Sequence, residues 1–278
     1  MARSRDPNAT SVLASGVAFV LRCAVRVREQ VSYAGRMTQP QWQELAPGVL
    51  VRAHPELDLN CGLVVGERRA LVIDTHLSAR AGSELFAAVR EVTDREIVVV
   101  NTHAHFDHCF GNIAFRDSQI YAHVGAVEAM LDAGKSQRTD AVALLAAQEI
   151  GELADDVADT EIVLPFYLIE DDTVLDLGGR VVHLLYGGRA HTDHDLVVAV
   201  PDAGVVFWGD LIEQDGDVST GGAYLQEWPV TLRSLAAREA VRDSHIQVPG
   251  HGSPEGADFI EGQARRIEQM SDSAAAPT

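Results

Sequence analysis

The feature that most constrains this sequence is an apolar run followed at once by a motif rich in histidine. Glu96–Val100 (EIVVV) is a short, continuous apolar run, as expected of a strand that is covered on both faces. The motif NTHAHFDH begins at the next residue, Asn101. Loops at strand ends carry binding and catalytic residues more often than core positions do. The sequence therefore predicts a covered sheet that presents these polar residues at its edge.

Short β-type runs alternate with helical stretches from Gln41 onward. Strands are predicted over residues 48–53, 62–65, 69–74, 96–100, 119–122, 173–177, 181–185, 195–200, 205–208 and 246–248. Helices are predicted over residues 79–92, with Ser78 as the N-cap, and over 124–133, 139–153, 229–241 and 254–270. Strands followed by a helix occur in both halves, which predicts two sheets packed face to face with helices outside.

Composition and charge limit the class of protein. The chain has 278 residues, of which 46% are hydrophobic and 23% charged, as in ordinary globular proteins. Its net charge of -19 repels phosphate backbones, so we expect no nucleic-acid partner. No apolar run approaches the roughly 20 residues of a membrane-spanning helix, so we expect no membrane association.

The two ends of the chain are expected to lie outside the folded domain. Residues 1–36 carry six arginines against two acidic residues and are interpreted as an N-terminal extension, either disordered or preceding the native start. The folded domain is predicted over residues 37–270, and residues 271–278 as a disordered tail. Three widely spaced cysteines make no disulfide framework. We therefore expect a cytoplasmic protein, with secretion through the N-terminal segment left open.

The first motif supplies ligands for two neighbouring ions. Residues i and i+2 of an extended segment project to the same side, so His103 and His105 can hold one ion. Asp107 and His108 lie where the chain turns, and they can face a second ion. Imidazole and carboxylate groups suit zinc, and also iron or manganese.

Three later residues of ligand type follow predicted strands among glycines. His191 follows Gly-Gly-Arg-Ala, Asp210 lies in Trp-Gly-Asp, and His251 lies in Pro-Gly-His-Gly. Strand ends are the expected location of sites in layered α/β folds. Each residue alone is interpreted as a cap or loop residue, but together with the first motif they indicate a metal site.

The set HAHFDH, His191, Asp210 and His251 resembles the metallo-β-lactamase superfamily, and the resemblance extends over nearly the whole chain from about Gln41. It implies an αββα sandwich in which two mixed sheets pack face to face with helices on the outside. It also implies metal ligands, one ion being held by His103, His105 and His191 and a second by Asp107, His108 and His251, with Asp210 bridging both. Asp74 matches a carboxylate that the family keeps, and it is expected to orient ligands from behind.

The resemblance implies a binuclear hydrolase mechanism. Two Zn²⁺ ions, or alternatively iron or manganese, would share a water, lower its pKa and give a hydroxide that attacks a carbonyl carbon. Asp107 would be the catalytic residue that orients this hydroxide and moves a proton. The expected substrates are small molecules with an ester, thioester, lactone or amide bond.

Departures from particular branches of the superfamily narrow this expectation. Asp210 resembles the bridging aspartate of glyoxalase II enzymes and lactonases, whereas the best-known β-lactamases carry cysteine or serine there. Glu213 lies near the position of a lysine that holds the substrate carboxylate in many β-lactamases, so we rank β-lactam hydrolysis low. Three alternatives remain: a persulfide-dioxygenase-like enzyme with one iron, a β-lactamase, and a non-catalytic metal-binding protein.

The substrate pocket is less well marked by the sequence. Glu213, Tyr224 and Trp228 follow the bridging aspartate and are candidates for a pocket wall. His194 either lines the pocket or caps the following strand, and the capping role is favoured. The other histidines, including His54 and His76, are interpreted as structural or surface residues.

Overall fold

The computed structural model of this chain describes residues 40–55, 57–147, 151–214, 218 and 220–275. The extension expected over residues 1–36 lies outside the described residues. The strands are β1 (Trp42–Ala46), β2 (Val49–His54), β3 (Leu59–Val65), β4 (Arg69–Ile73), β5 (Glu96–Val100), β6 (Gln119–His123), β7 (Tyr167–Ile169), β8 (Thr173–Asp176), β9 (Val181–Tyr186), β10 (Leu196–Val200), β11 (Val205–Phe207) and β12 (Ile246–Val248). The α-helices are α1 (Ala79–Val92), α2 (Phe106–Cys109), α3 (Val124–Ala147), α4 (Gly151–Ala158), α5 (Trp228–Ala236) and α6 (Asp258–Ala275).

Both sheets are mixed, as predicted. Within the described residues, β1 to β7 form one sheet in chain order, antiparallel from β1 to β4 and parallel from β4 to β7. The second sheet has the order β12-β11-β10-β9-β8, in which only β11 and β12 run parallel. The parallel pairs bring several carboxyl-terminal strand ends to one edge of each sheet.

Three apolar layers hold the sandwich together and confirm the αββα architecture. The middle layer joins the two sheets and contains Leu71 and Ile73 from the first sheet and Val198 and Phe207 from the second. The first outer layer packs α1 to α4 on the first sheet. The second outer layer packs α5 and α6 on the second sheet, through Trp228, Leu232 and Ile260 among others. Burial of these apolar faces is the main force that stacks the four layers.

Helix α1 begins where the sequence predicted. The Ser78 side chain accepts a hydrogen bond from the Ala81 amide and caps the helix. The two helices expected over 124–133 and 139–153 are instead α3, which continues through Gly134, and the separate α4. An isolated glycine is tolerated inside a helix that tertiary packing supports.

The carboxyl-terminal boundary also differs from the expectation. Residues 271–275 were expected to be disordered, but they continue α6, which ends at Ala275. The edge strands β1 and β7 were not predicted. Among the described helices, none is both long and apolar enough to cross a bilayer.

Candidate metal centre

The structure brings all seven sequence-predicted ligand residues to one edge of the sandwich. Their loops follow β5, β9, β11 and β12. The Gly250 amide donates to the Gly209 carbonyl, and the Leu196 amide donates to the Thr102 carbonyl, which ties these loops together. The side chains form two groups, one of His103, His105, His191 and Asp210, and the other of Asp107, His108 and His251.

The first group is a compact cluster of three imidazoles. The His105 Nδ1 atom lies 2.9 Å from His103 Nε2 and 2.9 Å from His191 Nε2. Asp210 Oδ2 lies 3.7 Å from His103 Nε2 and 3.6 Å from His191 Nε2. In a tetrahedral zinc site with bonds of about 2.0–2.1 Å, ligand atoms are about 3.3 Å apart. The spacing in this cluster therefore suits one small ion.

The second group has the same spacing. The His251 Nε2 atom lies 3.4 Å from His108 Nε2 and 3.3 Å from Asp107 Oδ2. Asp210 Oδ1 lies 3.2 Å from His108 Nε2 and 3.4 Å from His251 Nε2. The two oxygens of Asp210 thus face different groups, which is the geometry that a carboxylate between two ions needs.

The carboxylates of this site are left without hydrogen bonds. Asp107 and Asp210 are both buried, and none of their four side-chain oxygens has a hydrogen-bond partner. Buried charges without partners are costly unless they coordinate a metal. The donor set therefore fits two divalent cations.

The pKa values of the site reflect how the protein balances these charges. Burial lowers the pKa of His103 and of His105 well below the usual range. For His251, burial opposes the charge, but Asp210 and Asp107 raise its pKa to about 10. Burial also opposes ionisation of Asp210, but His251 and His108 hold the pKa of its carboxyl well below the usual range. A cation bound beside Asp107 and Asp210 would displace the proton of His251, because imidazole binds a metal in its neutral form.

Comparison with known proteins identifies the family. The sequence profile of the Metallo-beta-lactamase superfamily matches residues 55–268. The chain belongs to this superfamily. A type 2 metallo-beta-lactamase of Bacillus sp. (strain 170) is 27% identical over 69% of this chain. The match spans 66% of that relative's length, just under two thirds.

Solved metallo-beta-lactamases share the fold. The structure of TMB-1 superposes with a TM-score of 0.67 at 19% identity and covers 84% of this chain and 100% of its own. FIM-1 from Pseudomonas aeruginosa, in its mono-zinc form, gives a TM-score of 0.64 at 18% identity, covering 84% and 97%. Membership of the superfamily supports a metal-dependent hydrolase in general.

In this metallo-β-lactamase fold, Asp74 lies directly behind His108. Its Oδ2 atom is 2.8 Å from His108 Nδ1. The Thr102 amide and hydroxyl each donate to the same carboxylate at 2.8 Å. Asp74 adopts a left-handed backbone, with φ of 60°. These contacts leave His108 Nε2 directed at the second group, and the orienting role of Asp74 stays a prediction.

Two glycines allow the loops to approach Asp210, a role that the sequence analysis missed. A Cβ atom at Gly250 would overlap Asp210 Oδ1. Gly209 has a φ of 54°, and a Cβ there would lie 2.7 Å from Thr102 Oγ1. The glycines of the Trp-Gly-Asp and Pro-Gly-His motifs could have indicated this role, because glycine permits such close backbone approach.

Trp228 is not a pocket wall, contrary to the expectation. It is fully buried, and its Nε1 donates to the Leu211 carbonyl at 3.1 Å. Its ring lies edge-on to His191, with centroids 5.5 Å apart. The Trp228 ring packs against His191. Because it is fully buried, it cannot contact a substrate.

The other three pocket candidates lie near the site but differ in exposure. Tyr224 is half-buried, donates to Asp193 Oδ2 at 3.3 Å and has Arg189 stacked on its ring. His194 is buried, and its Nδ1 lies 2.8 Å from Asp193 Oδ1. Glu213 is 5% exposed, and its backbone pairs with that of His251. Tyr224 is therefore the most accessible of the candidates.

Proposed function

We propose that this protein is a binuclear zinc hydrolase that cleaves an ester, thioester, lactone or amide bond of a small molecule. The observation that carries the proposal is the position of Asp210, whose two oxygens face two separate groups of buried ligand atoms. One carboxylate between two ligand groups is suited to two-metal hydrolysis.

The seven residues divide into two metal sites. His103, His105 and His191 would hold one ion with Asp210 Oδ2. Asp107, His108 and His251 would hold the other with Asp210 Oδ1. Two zinc ions bound there would lower the pKa of a water and polarise the carbonyl of the substrate.

Asp107 is the proposed catalytic residue. Its Oδ2 lies near His251 Nε2, and its Oδ1 accepts no hydrogen bond. Burial raises the pKa of its carboxyl, but the charges of His108 and His251 outweigh this effect and lower it. An ionised Oδ1 can orient the attacking water, accept its proton and pass that proton to the leaving group.

A β-lactam is the second candidate substrate, because the curated relative from Bacillus is a metallo-beta-lactamase. Glu213 weighs against it, because a carboxylate near the site would repel the carboxylate of such a substrate. A mononuclear iron oxidoreductase is the alternative outside hydrolysis, and the three-imidazole group alone would serve it.

The test is a hydrolysis screen of ester, thioester, lactone and β-lactam substrates on the zinc-loaded full chain. We expect turnover of a carbonyl substrate and a loss of at least about 100-fold in kcat for Asp107→Asn. Asp117→Asn, at an exposed site, is the matched control and should keep full activity. Absence of turnover in every class, or full activity of Asp107→Asn, contradicts the proposal.

A further inference from the structure

A cavity lies between strand β2 and helix α1. Its volume is about 730 Å³. None of the seven proposed metal ligands lines it. Arg52, His54 and His76 contribute polar groups to its wall, and Trp42 and Leu153 contribute apolar surface.

Two polar residues of this cavity, Arg52 and His54, lie on a strand face that helices cover, where apolar residues are expected. Alternate residues of a strand share one face, so Leu50, Arg52 and His54 lie on the same face of β2. Leu50 packs on the layer between the first sheet and its helices, whereas Val49 and Val51 pack between the two sheets. An arginine and a histidine on a helix-covered face are unusual for a purely structural layer.

His54 has a buried nitrogen without a partner. Its side chain is 5% exposed, and its Nε2 makes no hydrogen bond. The ring lies perpendicular to that of His76, with centroids 4.1 Å apart. Burial holds the pKa of His54 well below its usual range, so the ring is neutral and keeps one N–H to donate.

Within the part of the chain that the structure describes, Arg52 forms no ion pair, although it lines the cavity. It pairs with Trp42 across strands β1 and β2, and its guanidinium lies 5.8 Å from the Trp42 ring centroid. Its Nε has no hydrogen-bond partner. Arg80, by contrast, is bound to Glu84 at 2.9 Å and to Asp156 at 2.5 Å. The guanidinium of Arg52 is therefore the group available to an incoming anion.

We propose that this cavity binds a small organic monoanion with a planar apolar body. Its carboxylate oxygens would accept charge-assisted hydrogen bonds from the Arg52 guanidinium, beside the ring of His54. Its body would pack against Trp42 and the apolar wall. Two further wall residues, Glu84 and Glu91, are acidic and disfavour ligands with several negative charges.

The test is calorimetric titration of the full chain with 2-naphthoate, with 2-naphthol as the neutral probe of the same shape. We expect one 2-naphthoate per chain and binding at least about tenfold tighter than that of 2-naphthol. Arg52→Gln should weaken 2-naphthoate binding at least about tenfold, and Arg52→Lys by less. Arg90 lies in α1 but does not line the cavity, so Arg90→Gln is the control and should leave binding unchanged.

A metal centre also attracts carboxylates, so His103→Ala separates the two sites. Binding of 2-naphthoate by this variant should match that of the unsubstituted chain. Loss of binding in His103→Ala with retention in Arg52→Gln would assign the anion to the metal centre and overturn the proposal. Equal affinity for 2-naphthoate and 2-naphthol, or no binding of either, would overturn it as well.

Discussion

The carboxylate of Asp74 holds the imidazole of His108 from behind, with Oδ2 2.8 Å from Nδ1. Because Nδ1 is engaged in this way, Nε2 is the nitrogen that faces His251 and Asp210. The contact links a loop after β4 to a helix after β5, two strands that run parallel in the first sheet. We therefore propose that Asp74 orients a metal ligand without itself binding the metal.

Asp74→Asn should weaken zinc binding about 10- to 100-fold, because an amide holds and polarises His108 less well than a carboxylate. Asparagine tolerates the left-handed backbone of this position, so the fold should remain intact. Competition with a chromogenic chelator measures the affinity. Asp202→Asn, on the surface, is the control, and equal affinities of the two variants would argue against the orienting role.

Gly250→Ala should abolish zinc binding at the shared carboxylate, because the new Cβ would occupy the place of Asp210 Oδ1. Gly256→Ala is the matched control, since no heavy atom lies within 4 Å of a Cβ built there. Zinc content after dialysis, with circular dichroism to confirm folding, distinguishes the two. Normal zinc content in a folded Gly250→Ala variant would contradict the proposed geometry.

His76 should make the metal-free protein sensitive to acid. Burial lowers the pKa of His76 to about 3, whereas an unfolded histidine titrates near 6.5. Between these values the unfolded state binds the extra proton, so stability falls as the pH drops below about 6.5. The slope is about 1.4 kcal/mol per pH unit for one proton.

His76→Asn removes this titration and suits the left-handed φ of 77° at that position. Urea unfolding in the presence of a chelator at pH 7 and pH 5 measures the effect. The unsubstituted chain should lose about 2 kcal/mol more than the variant between the two pH values. An equal loss of unfolding free energy in both proteins would show that the titration of His76 does not cause the acid sensitivity.

The sequence predicts much of the fold because local signals and burial agree along most of the chain. Helix α1 and strand β5 have the predicted bounds, since the Ser78 cap and the apolar run EIVVV are strong local signals. Strands β1 and β7 were missed because they lie at the edge of the first sheet and carry a mixed pattern.

For the candidate site, the motifs identify the histidines and aspartates, and the family resemblance implies their division between two ions that share Asp210. The positions of Asp210 Oδ1 and Oδ2 between the two groups depend on loop geometry, which the sequence does not specify. The burial of Trp228 depends on packing between α5 and the second sheet. The cavity lined by Arg52 and His54 could not be predicted, because it depends on which face of β2 the helices cover. The alternation of residues along a strand does not specify that face.

Metal analysis of the zinc-loaded full chain tests the central claim most directly. The account predicts two zinc ions per chain, falling to one in His251→Ala, because the first group keeps its three imidazoles and Asp210. Elemental analysis after dialysis gives this count. A single ion in the unsubstituted chain, or two ions retained in His251→Ala, would contradict two adjacent sites that share Asp210.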